Sequence, residues 1–150
     1  MKNKIVIFGS IIALIFVIGI MAGSYIATSN KEIKLRQGVE TQQGVLKDFH
    51  TVVWKVLQEK AAITDNYTKA FDSVYANIMN ERYEGKNGGS LFSFVTESNP
   101  NFDVTMYKDL AQTVEAKRTE FFYEQKKLRE LNQQHKVYLQ TFPGSLWVGG

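Results

Sequence analysis

The chain has 150 residues, two histidines and no cysteine, so the imidazoles available to a metal or acid–base centre are those of His50 and His135. His50 stands two residues after Asp48. A histidine beside a carboxylate can relay a proton or supply two ligands to a metal. The third ligand that makes an HExxH helix informative is missing, and such a site would need carboxylates from a facing helix. His135 falls at a position of an apolar stripe, where an imidazole hydrogen-bonded inside a helical bundle is the simpler reading. Gly85-Lys86 and the glycines after them lack the spacing of a phosphate-binding loop, and they follow a helical pattern where that loop would follow a strand. Asn66-Tyr67-Thr68 spells a glycosylation sequon, which has meaning only in a eukaryotic secretory pathway. No catalytic, cofactor-binding or metal residue is assigned on these grounds, and no cofactor is expected.

Composition narrows the field further. Without cysteine there are no disulfides, zinc knuckles, thiol nucleophiles or iron–sulfur ligands. An apolar fraction of 44% and an aromatic fraction of 13% suit a folded domain of single-domain size. The net charge of +3 and pI near 9.0 raise the question of nucleic acid. Lys117, Arg118, Lys126, Lys127 and Arg129 are interleaved with Glu115, Glu120, Glu124 and Glu130. That alternation is a solvated helix face laced with opposite charges, so no nucleic-acid partner is expected.

The elements that would position these residues begin with an apolar run. After a basic tail at residues 1–4, Ile5 to Ala27 carries no ionisable group except Tyr25. As a helix it extends roughly 34 Å, enough for a hydrocarbon core of about 30 Å. The run exceeds the apolar segment of an ordinary cleavable signal peptide, although Ala22 and Ser24 resemble a cleavage site, so it reads as an uncleaved transmembrane signal-anchor over 5–27. Lys2, Lys4 and the amino terminus face Lys31, Lys34 and Arg36 across the span. A short, triply charged tail held in the cytoplasm places the bulk of the chain outside. Gly19, Gly23 and Ala27 recur every four residues as a smooth stripe suited to association with another membrane helix, and hence to a homo-oligomer.

Residues 28–150 read as one helical-bundle domain. Ser29 and Glu32 have capping-box spacing, and a long helix is expected over about 29–83. Val39, Leu46 and Val53 form one seven-residue series; Phe49 and Val56 belong to the interleaved one, with Gln42 and Lys60 as breaks. Val45, Val52 and Leu57 widen the stripe, which favours packing against two other helices over a dimeric coiled coil. Thr64, Asp65 and Asn66 interrupt the pattern as a kink, a turn or a polar patch. Tyr67, Phe71, Val74 and Ile78 resume it. The glycine-rich stretch 84–90 is a reversing loop, 91–99 a short apolar element, and Ser98 to Asn101 a turn. After Asp103 as N-cap, Tyr107, Val114, Phe121, Leu128, His135 and Phe142 fall seven apart, with Lys117 and Glu124 as polar interruptions. That gives a long helix over about 104–142, stopped by Pro143 and Gly144, and a tail over 143–150. The expected core therefore contains Val39, Leu46, Phe49, Val53, Val56, Tyr107, Val114, Phe121, Leu128 and Phe142.

Val39-Glu40-Thr41-Gln42 followed by Asp48-Phe49, Pro100 with Phe102, and Phe142-Pro143-Gly144 with Leu146 occur in an order that resembles the LemA family of bacterial membrane-anchored helical proteins. The resemblance rests on layout and on the terminal Phe-Pro-Gly. The family's paired arginines before the aspartate are Val45 and Leu46 here. The resemblance implies a tethered antiparallel helical bundle and no catalytic residues.

The expectation is thus an all-α protein, a transmembrane helix followed by an elongated antiparallel bundle with coiled-coil-like stripes. It would act as a non-catalytic binding or scaffold module whose partners are the lipid bilayer and a protein. The alternative is a membrane-anchored hydrolase or metal-dependent enzyme using His50 and Asp48.

Overall fold

A computed structural model describes residues 2–81 and 89–149, with side chains from Ile7 onward except that of Val104. Among the described residues there are five α-helices and no strand. These are α1 (Lys2–Ala61), α2 (Thr68–Asn80), α3 (Ser90–Ser98), α4 (Tyr107–Gln140) and α5 (Gly144–Trp147), with 3-10 turns at Asp65–Tyr67 and Val104–Met106. The chain divides into two compact units. One comprises Met1–Thr41 and Arg129–Gly150, the other Gln42–Leu128.

Helix α1 departs from the expected boundaries at both ends. No interruption occurs near Ser29, because α1 passes through that position without a break. Ser29 therefore caps nothing, and Glu32 turns to Arg36 and His135 instead. The helix then stops at Ala61, far short of 83. Ala62 adopts φ 51, the left-handed conformation that closes many helices. The Asn99 side chain donates a 2.9 Å hydrogen bond to the Ala61 carbonyl, one of the terminal acceptors a helix leaves open. Thr64, Asp65 and Asn66 thus belong to a true turn.

In the Gln42–Leu128 unit, four helical segments share one apolar core. Helix α1 contributes Val53, Trp54, Leu57 and Ala61, spaced to face one side. Phe71, Ile78 and Met79 of α2 and Leu91, Phe94 and Val95 of α3 have the same kind of spacing. Helix α4 adds Tyr107, Leu110, Ala111 and Val114. Phe71 is the hub: fully buried, its ring centroid lies 5.1 Å from that of Trp54, 5.5 Å from Tyr75 and 5.9 Å from Phe94. Full burial of such a side chain contributes about 1.5–3 kcal/mol by transfer alone. Asp103 heads the 3-10 turn that precedes α4, accepting from the Thr105 amide and hydroxyl, both at 2.8 Å. Those hydrogen bonds hold its carboxyl below the usual range.

One polar break from each long stripe, Gln42 and Glu124, meets the other within this unit. Gln42 is 3% exposed and donates to both the backbone carbonyl and the carboxylate of Glu124. Lys60 pairs with Asp109 at 2.6 Å. Together with the Phe49–Phe121 edge contact at 5.5 Å, these pairs set α1 and α4 antiparallel here. A buried polar pair that fits in only one alignment fixes register at some cost in stability.

In the other unit, α1 and α4 are again antiparallel, with α5 beside them. Thr28, Val39, Tyr138 and Gly144 are buried, and Gly38 lies opposite Leu131. From Ile7 to Met21 the large apolar side chains of α1 are half or more exposed. The most apolar part of this helix is long enough to cross a membrane, and none of it is buried within the molecule.

Candidate functional site

The two histidines are engaged in pairs. His50 Nε2 lies 2.9 Å from Asp72 Oδ1, a carboxylate of α2. Asp48 is exposed; two residues apart on a helix, it and His50 point to different sides. The imidazole packs against the rings of Phe71 at 4.8 Å and Tyr75 at 4.7 Å, closing one edge of the aromatic core. Burial pushes the Tyr75 phenol up from its ordinary range, and burial with the Glu81 charge does the same to Tyr107. No cluster of three or more His, Asp or Glu that could hold a metal occurs among the described residues. Gly85 and Lys86 lie outside them, as does the expected loop up to Gly88, while Gly89 precedes α3 and Ser90 begins it.

His135 sits within the helix pair, as its stripe position implies. Its Nε2 is 3.1 Å from Glu32 Oε1, and the same oxygen lies 3.4 Å from Arg36 Nε. One turn further along α4, the buried Tyr138 hydroxyl donates to the Thr28 carbonyl at 3.1 Å, and Lys31 Nζ stands 4.8 Å from the centre of the Tyr138 ring.

The C-terminal segment completes this arrangement. Trp147 stacks edge-on against Tyr25 with centroids 5.8 Å apart, and its indole N–H donates to Ser24 Oγ at 3.3 Å. The segment has a fixed path. A Cβ on Gly144 would come within 2.0 Å of the Tyr138 carbonyl oxygen, and one on Gly149 within 2.4 Å of the Leu139 carbonyl oxygen. Ser145 donates its amide to Thr141, and Val148 to Gly144, both at 2.9 Å. Tyr25, Lys31, Tyr138 and Trp147 therefore form a collar of aromatic and basic side chains at the end of the exposed apolar stretch. The collar was not visible as a unit in the sequence. Trp147 belongs to the expected tail over 143–150, and Phe142-Pro143-Gly144 signals only the end of a helix.

Among the expected core residues, Val39, Phe49, Val53, Tyr107 and Val114 are buried, while Leu46, Val56, Phe121 and Leu128 are partly buried. Phe142 is not core: it is 79% exposed. A residue preceding proline is disfavoured in helical backbone, α4 ends at Gln140, and a helical period has no meaning beyond that point. Of the proposed span, Ile5 lies in helix with its side chain outside the described set; Gly19, Gly23 and Ala27 are exposed along α1. A Cβ on Gly19 or Gly23 would meet nothing within 4 Å. No family model, no curated protein and no solved structure matches the chain.

Proposed function

We propose that this chain is a single-pass, membrane-anchored, LemA-like helical-bundle protein that serves as a non-catalytic binding or scaffold module at a bacterial-type membrane. The observation that carries this reading is the fully uncovered apolar part of α1, since a helix apolar on all sides belongs in another apolar phase. The disposition of the polar side chains supports the non-catalytic part. His50 with Asp72, His135 with Glu32 and Gln42 with Glu124 join one helical segment to another within their own units. Phe122 and Tyr123 of α4 stand exposed and offer aromatic surface to a protein partner.

Two experiments test this. Full-length protein should stay in the membrane pellet through alkaline carbonate, whereas recovery in the supernatant would remove the anchor. For orientation, the absence of native cysteine makes a single Glu120→Cys clean. Labelling of intact cells by an impermeant maleimide is expected, because Lys2 and Lys4 ahead of the apolar run favour the cytoplasmic side. Labelling only after lysis would reverse the topology.

A further inference from the structure

We infer that the C-terminal segment from Phe142 to Val148 is a second membrane contact, an interfacial anchor lying at the lipid headgroup boundary beside the exit of the span. The inference rests on the membrane reading of α1 and adds an element that the span does not require. The depth argument is geometric. At 1.5 Å per residue, Tyr25 lies about 30 Å along α1 from Ile5, the thickness of the hydrocarbon core. The Trp147 indole is fixed at this level by Ser24 and Tyr25. Tryptophan and tyrosine gather at that depth because their rings are apolar while their N–H and O–H groups need polar partners. Lys31 comes about 9 Å later on the same helix, where a cation meets lipid phosphate, and its ammonium rests on the Tyr138 ring.

The segment also presents apolar surface at this level. Phe142 is 79% exposed and Leu146 62%, on either side of a turn that Gly144 holds against the Tyr138 carbonyl. A lone exposed apolar residue needs no explanation. Two of them on a built turn, continuous through Trp147 with an uncovered apolar helix, match the surface of an interfacial segment. The occupant is therefore the boundary between headgroups and acyl chains, and neither a second copy of the chain nor another protein.

The test uses full-length protein in phosphatidylcholine vesicles, with Trp54→Phe leaving Trp147 as the sole tryptophan. The ring retained at position 54 preserves its packing against Phe71. Trp147 emission should be quenched about twofold more by lipids brominated near the glycerol end of the acyl chain than by those brominated near its methyl end. A parallel variant, Ile15→Trp with both native tryptophans replaced by Phe, reports on the span and should show the opposite preference. Quenching of the Ile15→Trp reporter without quenching of Trp147 would overturn the interfacial anchor and leave the membrane span standing. No quenching of either would overturn both. Phe142→Ser with Leu146→Ser, at exposed positions, should reduce Trp147 quenching. Unchanged quenching would assign the contact to α1 alone and refute the inference.

Discussion

The two units use stretches of the same two helices in different ways. Between Gln42 and Leu128, α2 and α3 cover the apolar faces of α1 and α4, and a closed core forms around Phe71. Among the described residues of the unit containing 1–41 and 129–150 there is no further long helix. The pair of α1 and α4 is joined by the His135–Glu32 contact and the Tyr138–Thr28 hydrogen bond, and α5 is joined to α1 by the Trp147–Ser24 hydrogen bond. Helix α4 ends at Gln140, just past the Tyr138–Thr28 contact, so the apolar stretch of α1 from Ile7 to Met21 stays outside the protein. On the proposed membrane reading, apolar residues of one type stabilise by two routes, protein packing in one unit and transfer to lipid in the other.

The sharpest way to break this comparison is to truncate one phenylalanine in each unit. Phe71→Ala should cost about 3–5 kcal/mol, through lost transfer energy and a residual cavity. Phe16→Ala, at a side chain exposed to protein neighbours, should stay within about 0.5 kcal/mol in detergent. Thermal unfolding of the two variants checks both, and equal losses would erase the distinction. Next in size is Gln42→Ala, which leaves the Glu124 carboxylate without its amide partner and should cost about 1–3 kcal/mol. A denaturant midpoint shift measures it, and an unchanged midpoint would deny the pair a role in register.

Tyr138→Phe sharpens the polar side of the comparison. It removes only the hydroxyl that bonds the Thr28 carbonyl and should cost about 0.5–1.5 kcal/mol, with faster amide exchange near Thr28 as the local readout. One small expected effect is a gain. Ala62 holds a left-handed conformation that costs an L-residue roughly 1–2 kcal/mol. Glycine relieves this but gives back part of the benefit through unfolded-chain entropy, so Ala62→Gly should stabilise by about 0.5–1 kcal/mol in the same melting assay.

Much of this architecture was legible in residue types. The all-helical class, the apolar amino-terminal helix and the heptad positions from Val39 to Val114 follow from spacing alone. The end of α1 was not legible, because Ala62 is a poor left-handed residue and the side chain that completes the stop, Asn99, lies 38 positions from the Ala61 carbonyl it caps. Gln42 and Glu124 looked like defects in two separate stripes; their meaning is a pairing across helices that neither local pattern encodes. Phe142 misled for a simpler reason. Seven-residue spacing continued past the last residue able to remain helical before Pro143. The collar combines both difficulties, since Tyr25 and Trp147 meet only after the C-terminal segment turns back along α1.

The central claim is that the apolar part of α1 is immersed in lipid. A nitroxide scan of single cysteines from Ile7 to Ile33, in full-length protein reconstituted into vesicles, tests it directly because no native cysteine competes for label. Collision with oxygen should rise toward Ile15 and Phe16, while collision with a water-soluble nickel complex falls. The two profiles should cross near Tyr25, where the collar begins. Nickel accessibility that stays high through Ile15 and Phe16 would contradict the account and place the apolar helix against water or protein.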